Sequence, residues 1–302
     1  MLGAGVEAGM TPREKIPLLN QALSRGGPPR ANPLILLRFF MLAMLCWLGY
    51  KDCMKRQNKR MPTMTAKKPT IFIVTDVETT MGRKIVFDIA WKAIDRKGRV
   101  YGRGSYLIRE AFHHDVPWYK EKMGLYYDDA YHHRIVPSTI LEARAEYNAQ
   151  IKSLRDAGHR VILAAYNSRF DFDKLPFTLS EITGGQVKRW LDAPAELMDI
   201  WDYWGESVPR DYAKSARASA SGKFVSTSAE SAYRYESNQP EFVEYHRAWH
   251  DVEIESEILL KALSRKKKIP VVKKPADLVG AVWKKINTRL GITGKARLPV
   301  AA

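Results

Sequence analysis

"TIFIVTDVETT", residues 70–80, opens on an apolar run and closes on acids and hydroxyls. Ile71, Phe72, Ile73 and Val74 are β-branched or aromatic. A short run of this kind, followed by turn residues, reads as a buried strand. Successive side chains of a strand point to opposite faces, so Asp76 and Glu78 share one face. Two carboxylates side by side at a strand's end repel each other unless a cation sits between them. The alternative is a polar strand end carrying two solvated acids.

The pattern continues outward from this strand. "KIVFDIAWKAID" (84–95) and "VYGRGSYLIR" (100–109) read as two more strands, and the "RKG" between them as a hairpin turn. Residues 137–158 have helical spacing at Ile140, Leu141, Ala145 and Ile151, with Ser138 as the cap and Gly158 at the end. "RVILAAY" (160–166) is a fourth strand, and "AELMDIWDY" (195–203) holds a fifth. A long amphipathic helix is expected over about 240–263. Three strands, then helices alternating with strands, predict an α/β fold: a mixed five-stranded sheet flanked by helices.

Two further segments bring acids to the same neighbourhood. In "AAYNSRFDFDKL" (164–175) a strand runs into Asn167, and Asp171 falls at the start of the next helix. Ligand sites of α/β sheets gather at such strand ends. An acid there also complements the helix dipole without any further role. Asp173 is its rival, and on a helix it points about 200° away from Asp171. In "HRAWHD" (246–251) Asp251 precedes an apolar stripe of Val252, Ile254, Ile258 and Leu259. His246 and His250 compete for any role beside it.

Together these segments resemble the DEDD superfamily of 3′–5′ exonucleases, in its histidine branch, the group that includes the proofreading epsilon subunit of bacterial DNA polymerase III. The family's D-x-E-T-T is Asp76-Val77-Glu78-Thr79-Thr80, its N-x-x-F-D runs from Asn167 to Asp171, and its H-x-x-x-x-D runs from His246 to Asp251. The resemblance covers 69–262 and selects His246 over His250. The tyrosine branch would need Tyr at 247, which is Arg247. There are departures: Met81 intervenes before Gly82, and the aromatic stretch 112–133 is long. That stretch is either a wall of the substrate channel or a surface helix with core tyrosines.

The resemblance implies a ribonuclease-H-like fold and a two-metal phosphodiester hydrolysis with Mg²⁺ or Mn²⁺. It implies that Asp76 bridges both ions and that Glu78 and Asp251 complete the site that activates water. Asp171 would hold the second ion and His246 would be the general base. Thr79, Thr80 and Asn167 would contact the substrate. DNA is the expected substrate and RNA trimming the alternative, with a polymerase as a candidate partner. A different class of reading is a nucleic-acid-binding or membrane-tethered adaptor with an idle site.

Charge bears on the partner. The net charge of +16 divides into +9 over residues 1–68, −4 over 69–260 and +11 over 261–302. Basic ends around an acidic middle suit a polyanionic partner. Three units follow: an N-terminal extension (1–68), an exonuclease domain (69–262) and a basic C-terminal tail (263–302). In the tail, Trp283, Ile286 and Leu290 have the spacing of a short amphipathic helix. The apolar segment 34–50 is interrupted by Arg38 and followed by basic residues. It reads as a membrane anchor, as a packed helix, or as sequence upstream of a start at Met61 or Met64. Two cysteines, Cys46 and Cys53, offer no disulfide framework, which fits a reducing, cytoplasmic setting, with membrane anchoring as the alternative.

Overall fold

The computed structural model describes residues 68–112, 122–219, 221–278 and 281–294. The apolar segment 34–50, both cysteines, Met61 and Met64 lie outside the described residues. Among the described residues, no helix is long and apolar enough to cross a membrane.

Six strands form one mixed sheet: β1 (Thr70–Thr79), β2 (Val86–Asp95), β3 (Val100–Ile108), β4 (Val136–Ser138), β5 (Arg160–Ala165) and β6 (Glu196–Asp199). Their order is β4-β3-β2-β1-β5-β6. β2 runs antiparallel to β1 and β3, while β5 and β6 extend the sheet in parallel on the other side of β1. This is the mixed α/β architecture that the sequence predicts, with six strands instead of five. The extra strand, β4, is three residues long with Pro137 at its centre, and it pairs only with β3. A segment that short shows no periodicity, and proline argues against a strand unless it lies at an edge.

Nine α-helices accompany the sheet among the described residues. They are α1 (Arg109–Phe112), α2 (Met123–Tyr131), α3 (Ile140–Asp156), α4 (Ser168–Ile182), α5 (Ile200–Ser207), α6 (Tyr212–Ser215), α7 (Ala229–Ser237), α8 (Ala248–Arg265) and α9 (Val282–Arg289). β1 lies between β2 and β5, so residues 71–75 are buried on both faces. Ile71, Ile73 and Val77 pack with residues of α3 and α4. Phe72 and Val74 pack on the opposite face with residues of α5, α8 and α9.

Two helix boundaries differ from the sequence reading. α3 is capped by Thr139 and not by Ser138: the Thr139 hydroxyl accepts from Glu142 N–H at 3.2 Å, and Glu142 Oε2 accepts from Thr139 N–H at 2.8 Å. This reciprocal capping box needs Glu three residues after the cap, a place that Glu142 fills only for Thr139. Ser138 instead pairs with Ile108 in the sheet. α8 begins at Ala248, not near 240, because Arg247 is extended and His246 has a positive φ of 50°. His246 therefore precedes the helix and is not part of it, as a helix over 240–263 would have required.

The amphipathic helix expected around Trp283 and Ile286 is α9. Val282 and Ile286 are buried in the same core as α5 and α8. Its cations are largely committed inside the molecule. Lys285 pairs with Asp202 and Glu206 at 2.7 Å each, and Arg289 donates to the carbonyls of Gly205 and Val208. Arg265 pairs with Glu236, and Lys266 with Glu206.

Candidate active site

Asp76 and Glu78 lie at the C-terminal end of β1, on the face that α8 covers. Asp76 is half-buried, and its Oδ2 is a buried oxygen without a hydrogen-bond partner. Burial, then repulsion from Glu255, Asp251, Asp171 and Glu78, holds its carboxyl well above the ordinary range. Glu78 stands opposite Asp88 in the β1–β2 ladder, just before a break in register at Thr79. Like charges directly opposite each other destabilise a sheet. Burial, followed by repulsion from Asp251 and Asp88, pushes Glu78 up to about 8. Thr79 closes the strand. Thr80 is buried, with its N–H and its Oγ1 both bonded to Ile85 across the following turn.

Asp171 is brought in by the β5–α4 junction. Ser168 Oγ accepts from Ala165 N–H and lies 2.6 Å from the Met198 carbonyl, which pins the turn to β6. Asn167 before it is left-handed, at φ 66° and ψ 47°, a conformation that asparagine tolerates better than most residues. The first turn of α4 then delivers Asp171 against β1, where its Oδ1 accepts from Val77 N–H at 3.2 Å. Burial holds Asp171 well above the usual carboxylate range despite that bond. Asp173 points away, exposed, and pairs with Arg169 at 3.7 Å.

Asp251 lies in the first turn of α8 and is buried, with Oδ1 lacking a hydrogen-bond partner. Ligand atoms of Glu78, His246 and Asp251 all fall within 4.8 Å of one another. His246 is the open member of the group, with 54% of its side chain exposed. His250 is different. Its ring stacks on Phe242 at 6.0 Å and meets Tyr245 and Trp249 edge-on at 5.2 and 5.6 Å.

The start of α8 is held by the long aromatic stretch. Asp88 Oδ2 accepts from Tyr126 O–H of α2 and from Ala248 N–H, each at 3.0 Å. Fully buried Asp129 of α2 accepts from Arg247 at 2.6 Å, Trp249 at 2.9 Å and Arg134 at 2.6 Å. Tyr126 is a core tyrosine, whereas Tyr127 and Tyr131 are exposed. The described part of the stretch is thus a helix with one core tyrosine that clamps the backbone on either side of residue 248. Asp129→Ala would leave part-buried Arg247 and the Trp249 N–H without their acceptor. We expect it to lower unfolding stability by about 3 kcal/mol or more, the scale of breaking a buried ion pair, as read by urea denaturation.

Two carboxylates here escape reasoning from motifs. Asp88 is fully buried on β2, and burial raises it to about 7. Glu255 is buried on α8, its Oε2 accepting from Tyr166 N–H at 3.1 Å. The sequence signal for Glu255 was its place four residues after Asp251, on the same helical face.

No family model matches the chain, and no curated protein matches it. Among solved structures, one similar chain is described as "Exonuclease X in complex with 5' overhanging duplex DNA". It is 16% identical, with a TM-score of 0.39, over 65% of this chain and 93% of that one.

Proposed function

We propose that the chain is a metal-dependent 3′–5′ exonuclease of the histidine branch, acting on DNA. The observation that carries this reading is the convergence of Glu78, His246 and Asp251 within 4.8 Å, beside Asp76 and Asp171. Acids buried this closely call for cations, and the orphaned oxygens Asp76 Oδ2 and Asp251 Oδ1 fit hard divalent ions. When bound, a pair of Mg²⁺ or Mn²⁺ ions supplies an activated water on one side of the phosphodiester and charge stabilisation of the leaving oxygen on the other.

The chain's own residues divide the remaining work. Asp76, Glu78 and Asp251 would hold the ion on the water-activating side, and Asp76 together with Asp171, fixed to Val77, would hold the other. His246 takes the proton of the attacking water at a ring nitrogen and passes it to solvent, for which its exposure suits it. Thr79 and Asn167, at the ends of neighbouring strands, contact the terminal nucleotide, and Thr80 holds the turn behind them.

The test is digestion of labelled single- and double-stranded DNA and RNA, side by side, with Mn²⁺ and with excess chelator. Stepwise shortening from the 3′ end that needs metal supports the reading. Cleavage that persists in chelator overturns the metal mechanism, and binding without cleavage on every substrate leaves an adaptor. The DNA and RNA arms decide between the two substrates.

The polyanion contacts fall to the cations that α8, α9 and their neighbours leave unpaired. Lys267, Lys268, Lys273 and Lys274 are exposed and have no ion-pair partner among the described residues. Changing these four to Gln should weaken DNA binding and flatten its salt dependence by about 0.9 per lost phosphate contact. Binding titrations at several salt concentrations read this directly, and an unchanged slope removes these lysines from the interface. Deleting 264–302 is a poorer test. It strips Val282 and Ile286 from the core, at about 1.5–3 kcal/mol each.

A further inference from the structure

Glu255 is 3% exposed, on the sheet-facing side of α8 one turn beyond Asp251. One oxygen accepts from Tyr166 N–H, at the end of β5. No Lys, Arg or His among the described residues forms an ion pair with it. The charges that act on it are acids, Asp171 first and then Asp251 and Glu244, and it acts on Asp76 in turn. Below it on the helix lie the fully buried Ile258 and Leu259.

A carboxylate buried without a cation is among the most costly groups a protein can hold. The hydrogen bond from Tyr166 does not require the charge, since a glutamine oxygen would accept it equally well. What glutamine would lack is the negative charge, which acts on Asp76, Asp171 and Asp251. We propose that Glu255 is a fifth carboxylate of the metal site, using the oxygen not bound to Tyr166 to hold, directly or through a water ligand, the ion shared by Asp76 and Asp171. This inference rests on the metal-site reading above and extends it to a residue outside the three motifs.

The test is Mn²⁺ binding by the full chain, read by loss of the free-ion EPR signal and by the rise in melting temperature as Mn²⁺ is added. Glu255→Gln should melt at or above the wild-type temperature without metal, because it removes a repelling charge and keeps the Tyr166 bond. Its Mn²⁺ affinity should fall about 10-fold or more, the scale seen when a supporting group of a metal site is lost. An unchanged affinity in the variant overturns the role of Glu255 while leaving the metal site intact. A wild-type chain that binds no Mn²⁺ overturns both. Should Glu255→Gln give no cooperative melt, Glu255→Asp carries the comparison. Its charge is kept but its reach is one methylene shorter, so its Mn²⁺ affinity is expected to fall, and an unchanged affinity counts against the proposal.

Discussion

Asp76→Asn should lower cleavage by about 10³-fold or more, the scale of removing a preorganised electrostatic element from an active site. It should also leave the metal-free protein as stable as the wild type, or more so. Both effects come from one cause. Asp76 is pressed by four other carboxylates and carries a buried oxygen with no partner. Without metal that charge only repels; on the proposed reading it is a ligand once metal binds. The measurements are cleavage of a 3′-labelled oligonucleotide and thermal melting in chelator. A variant that keeps its activity would remove Asp76 from the mechanism.

The same electrostatics set a pH dependence for the metal-free wild type. Burial and like charges raise Glu78 to about 8 and Glu244 to about 7, both from an ordinary 4.5. A raised value means that the folded state binds the proton more tightly than the unfolded state does. The resulting stability is full below the unfolded pKa and is lost as pH rises through the folded one. In chelator the melting temperature should therefore fall between about pH 4.5 and pH 8. Mn²⁺ should restore it most at the upper end, where the carboxylates are free to bind metal.

His246→Ala should lower turnover by about 10²–10⁴-fold, the range for a lost general base, with little change in melting temperature. The side chain is 54% exposed, and its one ion-pair contact among the described residues is Glu244 at 4.0 Å. His250→Ala should show the reverse: turnover within a few-fold of wild type, and a lower melting temperature. Its ring fills a cluster of Phe242, Tyr245 and Trp249. Turnover with both variants and calorimetry on each separate the two roles. If His250 proves the more sensitive position for turnover, the third motif is out of register.

The sheet and the positions of four acids were legible because their signals are local. An apolar run ending in Asp76 and Glu78 specifies a central strand and the shared face of its acids, since alternation along a strand needs no tertiary partner. The place of Asp171 in the first turn of α4 and the stripe below Asp251 are equally local. The three-residue β4, by contrast, exists only because β3 offers it an edge. The conformation of His246 was not legible either. Its positive φ is uncommon for any residue but glycine, and contacts flank it on both sides, with Lys122 donating to the Tyr245 carbonyl and Asp129 gripping Arg247. Glu255 was visible as a letter but not as a buried charge, because burial depends on what packs over it. Local patterning was enough to assign a strand, a helix and an acidic strand end to particular residues. Which charges are buried together follows from the packing of the whole chain, because repulsion among Asp76, Asp88, Asp251 and Glu255 depends on distances between segments far apart in sequence.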